Sequence, residues 1–108
     1  MQIAFHIVAR PSLRESLREI IIADLDKGQS ELEVEYEKKN SRPNGWAKIR
    51  AKGLHGVINI TWDPTSKTLI ARAIAKQGNT PNALLSRFIA YLLDHRRRDV
   101  RTITIHSS

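Results

Sequence analysis

Residues 31–75 carry a hydrophobic alternation that keeps one phase across three turn segments. In the first stretch Leu32, Val34 and Tyr36 alternate with four glutamates, which is the two-residue period of a strand with one buried face. Similar alternating stretches follow, separated by segments rich in Gly, Pro, Asn and Asp at 40–45, 53–56 and 63–68. Because those residue types favour chain reversal, the pattern predicts a four-stranded antiparallel meander.

Matching inward residues with inward residues predicts the register of the first hairpin. Tyr36 then lies opposite Ile49, and Val34 lies opposite Ala51. The outward residues form a ladder of three opposite-charge pairs: Glu37 with Lys48, Glu35 with Arg50 and Glu33 with Lys52. Such cross-strand pairs each stabilise a sheet by roughly 0.2–1 kcal/mol, so the charges favour this register.

The same rule predicts the two later registers. The second hairpin pairs Ala51 with Ile58, Ile49 with Ile60 and Ala47 with Trp62. A four-residue loop after Asp63 pairs Trp62 with Leu69, Ile60 with Ala71 and Ile58 with Ala73. A three-residue loop would turn Ile70 and Ile74 inward instead, because a slip of one residue exchanges the two faces. We prefer the four-residue loop.

The segments on either side of the meander predict two more strands and two helices. Ile3, Phe5 and Ile7 belong to a first strand that is apolar on both faces and therefore lies inside the sheet. Helix one is predicted to begin at Ser12, with Glu15 at the capping-box spacing, and to stop at Gly28. Helix two begins at Thr80-Pro81 and runs to about Asp94 or Arg97, before a last strand over 100–106.

The predicted order is β-α-β-β-β-β-α-β, in one domain over residues 1–108. Strand-helix-strand units at both ends indicate that the outer strands join the meander in one sheet. The predicted fold is an α+β two-layer sandwich: a mixed, mostly antiparallel sheet with two helices packed on one face. By analogy of architecture alone it is similar to a split β-α-β arrangement enlarged by a hairpin.

Composition limits the chemistry open to this chain of 108 residues. It has no cysteine, so disulfides, thiolate metal sites and cysteine nucleophiles are excluded. No segment reads as a signal peptide or reaches the length of a membrane span, so a cytoplasmic protein with no membrane partner is expected. The net charge of +7 is uneven: residues 1–37 sum to −4 and residues 38–108 to +11. A basic half of this size favours an acidic partner, most often nucleic acid.

The basic residues predict a surface that binds DNA or RNA through phosphates. The densest cluster is the run His95-Arg96-Arg97-Arg98, which also suits the end of helix two because cations complement the helix dipole. Arginine forks match phosphate geometry, and such contacts are largely independent of sequence. The candidate nucleic-acid-binding residues are Arg14, Arg18, Arg87, Arg96, Arg97, Arg98 and Arg101, assisted by Lys38, Lys39 and Arg42.

The outer face of the sheet suggests a second hypothesis. Val57, Ile70 and Ile74 form an apolar strip there, and such a strip is often covered by a partner. The alternative is therefore a protein-interaction or regulatory module, as a homodimer or with another protein. Trp46 and the neighbouring cations Lys48, Arg50 and Arg72 are similar to a base-stacking platform, but the predicted glutamate ladder argues against that use.

Enzymatic and metal-binding hypotheses have weaker support. His6 and His106 are expected to meet on adjacent strands, yet a third ligand is missing, so we expect no metal and no cofactor. A small metal-independent ribonuclease would need a base, an acid and a cation, for which His95, Glu19 and the run 96–98 are the available groups. No sequence motif fixes catalytic residues, and none is assigned.

Overall fold

A computed structural model describes residues 2–28, 30–38, 46–76, 78 and 80–106. Two helices pack on one face of a six-stranded sheet, which is the predicted α+β sandwich. The strands are β1 (Gln2–Ala9), β2 (Leu32–Lys38), β3 (Trp46–Ala51), β4 (Val57–Asp63), β5 (Thr68–Ile74) and β6 (Val100–His106). The helices are α1 (Leu17–Asp26) and α2 (Thr80–His95), and a 3₁₀ turn, Arg97–Asp99, joins α2 to β6.

The strand order is β2-β3-β4-β5-β1-β6, and each neighbouring pair is antiparallel. The sheet is therefore antiparallel throughout, and the prediction that it contains parallel neighbours is wrong. The strands joined by α2, β5 and β6, are parallel to each other, but β1 lies between them and is antiparallel to both. The prediction that β1 lies inside the sheet is confirmed.

The register between β4 and β5 is the predicted one. Trp62 lies opposite Leu69, Ile60 opposite Ala71 and Ile58 opposite Ala73. The Asp63 carboxylate accepts hydrogen bonds from the Thr65 amide at 3.0 Å and the Ser66 hydroxyl at 2.9 Å, which fix the four-residue turn. Ile70 and Ile74 therefore face outward, and the three-residue alternative is wrong.

The predicted register between β3 and β4 is wrong by two residues. Ile49 lies opposite Ile58, and Ala47 lies opposite Ile60. The loop is wider than predicted because Leu54 turns back: its amide donates to the Ala51 carbonyl at 3.1 Å, and its side chain packs against the core. A shift of two residues preserves the inner face, so the predicted core survives the error.

The predicted ladder of opposite-charge pairs between β2 and β3 is also wrong. Val34 lies opposite Ile49, but Tyr36 lies opposite Lys48, because Glu35 is the extra residue of a β-bulge. None of the three predicted charge pairings occurs in this register, although Glu33 faces Arg50. The strict alternation of residue types gives no sign of the bulge.

Helix α1 begins later than predicted. Its N-cap is Ser16, whose hydroxyl accepts a hydrogen bond from the Glu19 amide at 3.4 Å. Ser12 lies in a turn that the Lys67 ammonium holds away from the helix, donating to the carbonyls of Pro11 and Leu13 at 2.8 Å each. The predicted stop at Gly28 agrees with its φ of +71° just after the C-cap. Helix α2 ends at His95, within the predicted range.

The core lies between the inner sheet face and the two helices. Ten of the twelve predicted inner residues are buried, Val34 is half-buried, and the Tyr36 side chain lies outside the described part of the structure. The helices contribute Leu17, Ile21, Leu84 and Phe88, and the Phe88 ring meets Phe5 edge-on at 5.7 Å. Within the described residues, neither helix is long and apolar enough to cross a bilayer.

Replacing Gly56 by alanine tests how tightly the β3–β4 loop packs on β5. Gly56 has a φ of +100°, and a Cβ there would lie 2.5 Å from the Ile74 carbonyl oxygen. We expect the free energy of unfolding in urea to fall by about 2–4 kcal/mol, since backbone strain and the collision add.

Gly53→Ala is the matched control for that measurement. Gly53 has a φ of +82°, but no atom lies within 4 Å of the new methyl group. Only the strain of about 1–2 kcal/mol should reduce stability there. Equal reductions in the two variants would contradict the close approach at Gly56.

Candidate nucleic-acid interface

Four exposed arginines lie within three residues of the point where the end of β1 pairs with the start of β6. Ala9 pairs with Val100, and the Arg10 amide donates to the Asp99 carbonyl at 2.9 Å. This backbone bond brings Arg10 beside the 3₁₀ turn, far away in sequence. We call Arg10, Arg97, Arg98 and Arg101 the arginine corner; all four are exposed.

The positive charge of the arginine corner is not neutralised by nearby carboxylates. None of its four guanidinium groups has an ion-pair partner within 4.0 Å in the described part of the chain. The closest acidic side chain in sequence, Asp99, lies 3.5 Å from Arg96 instead. A shallow groove of about 650 Å³ runs along residues 93–99 beside Arg97 and Arg98. The corner can therefore receive an anion without breaking an internal ion pair.

Arg96 has a structural role, which corrects its predicted place in the binding surface. Its Nε donates to Asp24 Oδ2 at 2.7 Å and a terminal nitrogen donates to Oδ1 at 2.5 Å, giving a two-pronged ion pair. The Tyr91 hydroxyl donates to the same carboxylate at 2.5 Å. These bonds join the C-terminal ends of α1 and α2.

The protonation states of this cluster follow from its contacts. Hydrogen bonding to Arg96 lowers the pKa of Asp24 below its ordinary value, although burial opposes the shift. Burial raises the pKa of Tyr91, and the hydrogen bond to Asp24 adds to the effect. Asp24 is therefore a carboxylate and Tyr91 a neutral phenol at neutral pH.

Arg18 and Arg87 also differ from their predicted roles. Arg18 is only 1% exposed; it ion-pairs with Glu19 and donates to the Trp46 carbonyl at 3.1 Å. The prediction of an exposed phosphate contact is wrong here, because the side chain bridges α1 to the start of β3. Arg87 is half-buried, donates to the Lys52 carbonyl at 2.9 Å and lies 3.5 Å from Glu31.

The remaining predicted binding residues fall into two groups. Arg14 is exposed; its chain neighbours Leu13 and Glu15 line one groove together with Arg96 and Asp99, but Arg14 itself does not line it. Lys38 ends β2, but its side chain is outside what the structure describes, and Lys39 and Arg42 lie wholly outside the described residues.

Arg10 is the binding candidate that the sequence did not reveal. It is separated from the basic run by more than 80 residues, and only the pairing of β1 with β6 brings them together. The sequence held one topological signal for it. Arg10 directly follows the interior strand β1, and β6, which pairs with β1, begins just after the arginine run.

The outer sheet face presents the predicted apolar strip beside a row of cations. Val57 pairs with Ile74, and Ile70 is 41% exposed between Thr61 and His6. One residue pair away, Lys48, Asn59 and Arg72 lie side by side across three strands. Trp46 lies on this face with the Lys48 ammonium 5.9 Å from its ring centroid. The predicted ladder is absent from this face, but Glu33 lies opposite Arg50 there.

The structure brings together some, but not all, of the groups considered for catalysis and metal binding. His6 and His106 do meet, with ring centroids 4.5 Å apart, but no cluster of three metal-ligating side chains occurs among the described residues. His95 packs against Tyr91 at 5.6 Å and lines a cavity of about 240 Å³ with Asp24 and Arg96. Glu19 lines a different groove.

Comparisons with family models, curated proteins and solved structures found no match to this chain. The assignment of function therefore rests on the geometry and charge described above.

Replacing Asp24 by asparagine tests the ion pair that joins the helix ends. We expect the free energy of unfolding at pH 7 to fall by about 1–3 kcal/mol, because asparagine cannot form the charge-assisted hydrogen bonds to Arg96 and Tyr91. The folded-state pKa of Asp24 lies below its ordinary value of 3.8, so this stabilisation is complete above pH 3.8 and disappears as the pH falls below it. Urea unfolding at pH 7 and at about pH 2.5 measures how much of this stabilisation is lost on acidification.

Asp26→Asn is the control, since Asp26 is an exposed carboxylate on the same turn of α1. It should change stability little at either pH. A destabilisation by Asp24→Asn that is equally large at both pH values would contradict the ionic contribution.

Proposed function

We propose that this protein binds nucleic acid by contacting phosphates with the arginine corner. The observation that carries the proposal is the closeness along the backbone of four exposed arginines, for which no ion-pair partner is found among the described residues: Arg10, Arg97, Arg98 and Arg101. Arginine presents a planar fork of donors that matches the paired oxygens of a phosphate. Several such forks in one place suit a polyanion better than a single small anion.

The binding is expected to be mainly electrostatic and only weakly dependent on sequence. Contacts to phosphates fix position along a strand but carry no base information. The neighbouring groove along residues 93–99 contains both Asp94 and Asp99, and these carboxylates limit how far a phosphate chain can follow it.

The outer sheet face supports a second candidate function, as a module that binds an acidic protein partner. Exposed Ile70 supplies apolar area, and Lys48, Arg50 and Arg72 supply positive charge on the same face. This arrangement favours a partner with complementary charge. A second copy placed face to face would bring these cations against their own equivalents, which is unfavourable.

A salt titration with two double variants tests the proposal. Binding of duplex and single-stranded oligonucleotides is measured by fluorescence anisotropy at several salt concentrations. Removing Arg97 and Arg98 together (R97A/R98A) should lower the affinity, and should reduce the slope of log K against log salt by about 1 for each phosphate that the variant no longer binds.

The R50A/R72A double variant is the matched control, because it removes the same charge from exposed positions on the sheet face. It should bind oligonucleotides nearly as well as the unaltered protein. If R50A/R72A fails to bind and R97A/R98A binds normally, the sheet face is the binding surface. Absence of binding at low salt overturns the nucleic-acid proposal altogether.

A further inference from the structure

Strand β6 leaves one long side of the sheet open. It lies at the end of the strand order and pairs only with β1. No backbone hydrogen bond joins its other side to any residue that the structure describes. Alternate N–H and C=O groups from Val100 to His106 therefore point outward, and such a row is a template for another strand.

The two edges of the sheet differ in how well they resist pairing. The opposite edge, β2, carries the bulge at Glu35 and exposed glutamates at 33 and 35, features that block the addition of a strand. Strand β6 has an irregularity of its own at Arg101, where the register against β1 shifts, but from Thr102 to His106 it has neither bulge, proline, lysine nor carboxylate. Its threonines and isoleucines are strong strand formers.

The helix layer does not cover the inner side of β6. Ile105 lies opposite Phe5, on the same side as the core, yet it is 51% exposed. Its neighbour on that side, Ile103, is only partly buried. An added strand would cover both isoleucines and continue the apolar layer.

We propose that β6 pairs antiparallel with β6 of a second copy, across a two-fold axis at Thr104. The order of polar and apolar residues is the same in both directions along the segment Thr102-Ile103-Thr104-Ile105-His106. Two antiparallel copies can therefore place polar residues opposite polar ones and apolar residues opposite apolar ones. Thr104 then faces Thr104 of the second copy, Ile103 faces Ile105 in two symmetric pairs, and Thr102 faces His106. Apolar groups meet on the inner side and polar groups on the outer side, as cross-strand stabilisation requires.

Charge favours this edge contact over a face-to-face dimer. Arg101 lies outside the five paired residues, and the two-fold axis places the two arginine corners at opposite ends of the interface. The contact area is small, so dimers should form at high but not at low protein concentration. The inference does not rest on the proposed nucleic-acid binding, since it uses neither the arginine corner nor an anion.

Cross-linking through a single introduced cysteine tests the register directly, because the chain has no cysteine of its own. The Ala9 amide donates to the Lys67 carbonyl on the β5 side of β1, so His6 bonds to Thr104 and the Thr104 backbone groups point toward β1. In the proposed dimer the two copies of residue 104 therefore form a non-hydrogen-bonded pair about 4.5 Å apart between Cα atoms, within the reach of a disulfide. The two copies of residue 102 lie about 13 Å apart, four residue steps along the strand. Under mild oxidation T104C should give a covalent dimer at least tenfold faster than T102C.

Sedimentation velocity of charge variants provides the second measurement. T104K and T104E should each remain monomeric at concentrations where the unaltered protein dimerises, because like charges then face each other across the axis. An equimolar mixture of the two should recover the dimer. T65K, with the same added charge in the exposed β4–β5 turn, should dimerise normally.

The outcomes separate this inference from its alternatives. A monomer at every concentration, together with equal cross-linking of T104C and T102C, overturns it. Dimers that survive in both T104K and T104E locate the contact elsewhere and overturn it equally. Circular dichroism of each variant confirms that the fold is intact before either result is read.

Discussion

The burial of one continuous apolar sheet face beneath two helices is the constraint on which this structure depends. Six strands must be covered by helices of ten and sixteen residues. Alanines at 47, 51, 71 and 73 let the helices approach the central strands closely, and all four are buried. The inner residues of β4 and β5 are buried, Ile3 of β1 is partly buried, and the cover thins toward β6, where Ile103 and Ile105 are left partly exposed.

The same constraint explains which parts of the structure the sequence could predict. The period-two pattern predicts which side of each strand is buried, and ten of the twelve predicted inner residues are buried even though two registers are wrong. A shift of two residues keeps the same side chains on the inner face. Alternation alone therefore cannot decide whether Ile49 lies opposite Ile58, as observed, or opposite Ile60, as predicted. The deciding contacts, such as the inward turn of Leu54, depend on the folded core.

The binding surface was less predictable because charge in a sequence carries no information about partners in space. Arg96 and Arg97 are neighbours in one basic run, yet the first is held by Asp24 and the second is exposed and unpaired among the described residues. Arg18 resembled a surface cation at helical spacing but bridges two elements inside the fold. Arg10 joins the corner only through strand pairing.

The bulge at Glu35 has a consequence for how far copies of this protein can assemble. A sheet whose two margins both accept strands can recruit neighbours without limit, which is the geometry of a fibril. Here the β2 edge is bulged at Glu35 and carries exposed glutamates, whereas residues 102–106 of β6 are regular and carry no carboxylate, so the proposed pairing uses β6 alone. When β6 pairs with β6 of a second copy, as proposed, both edges of the combined sheet are β2 strands that carry the bulge. No further strand then adds, and assembly stops at two chains.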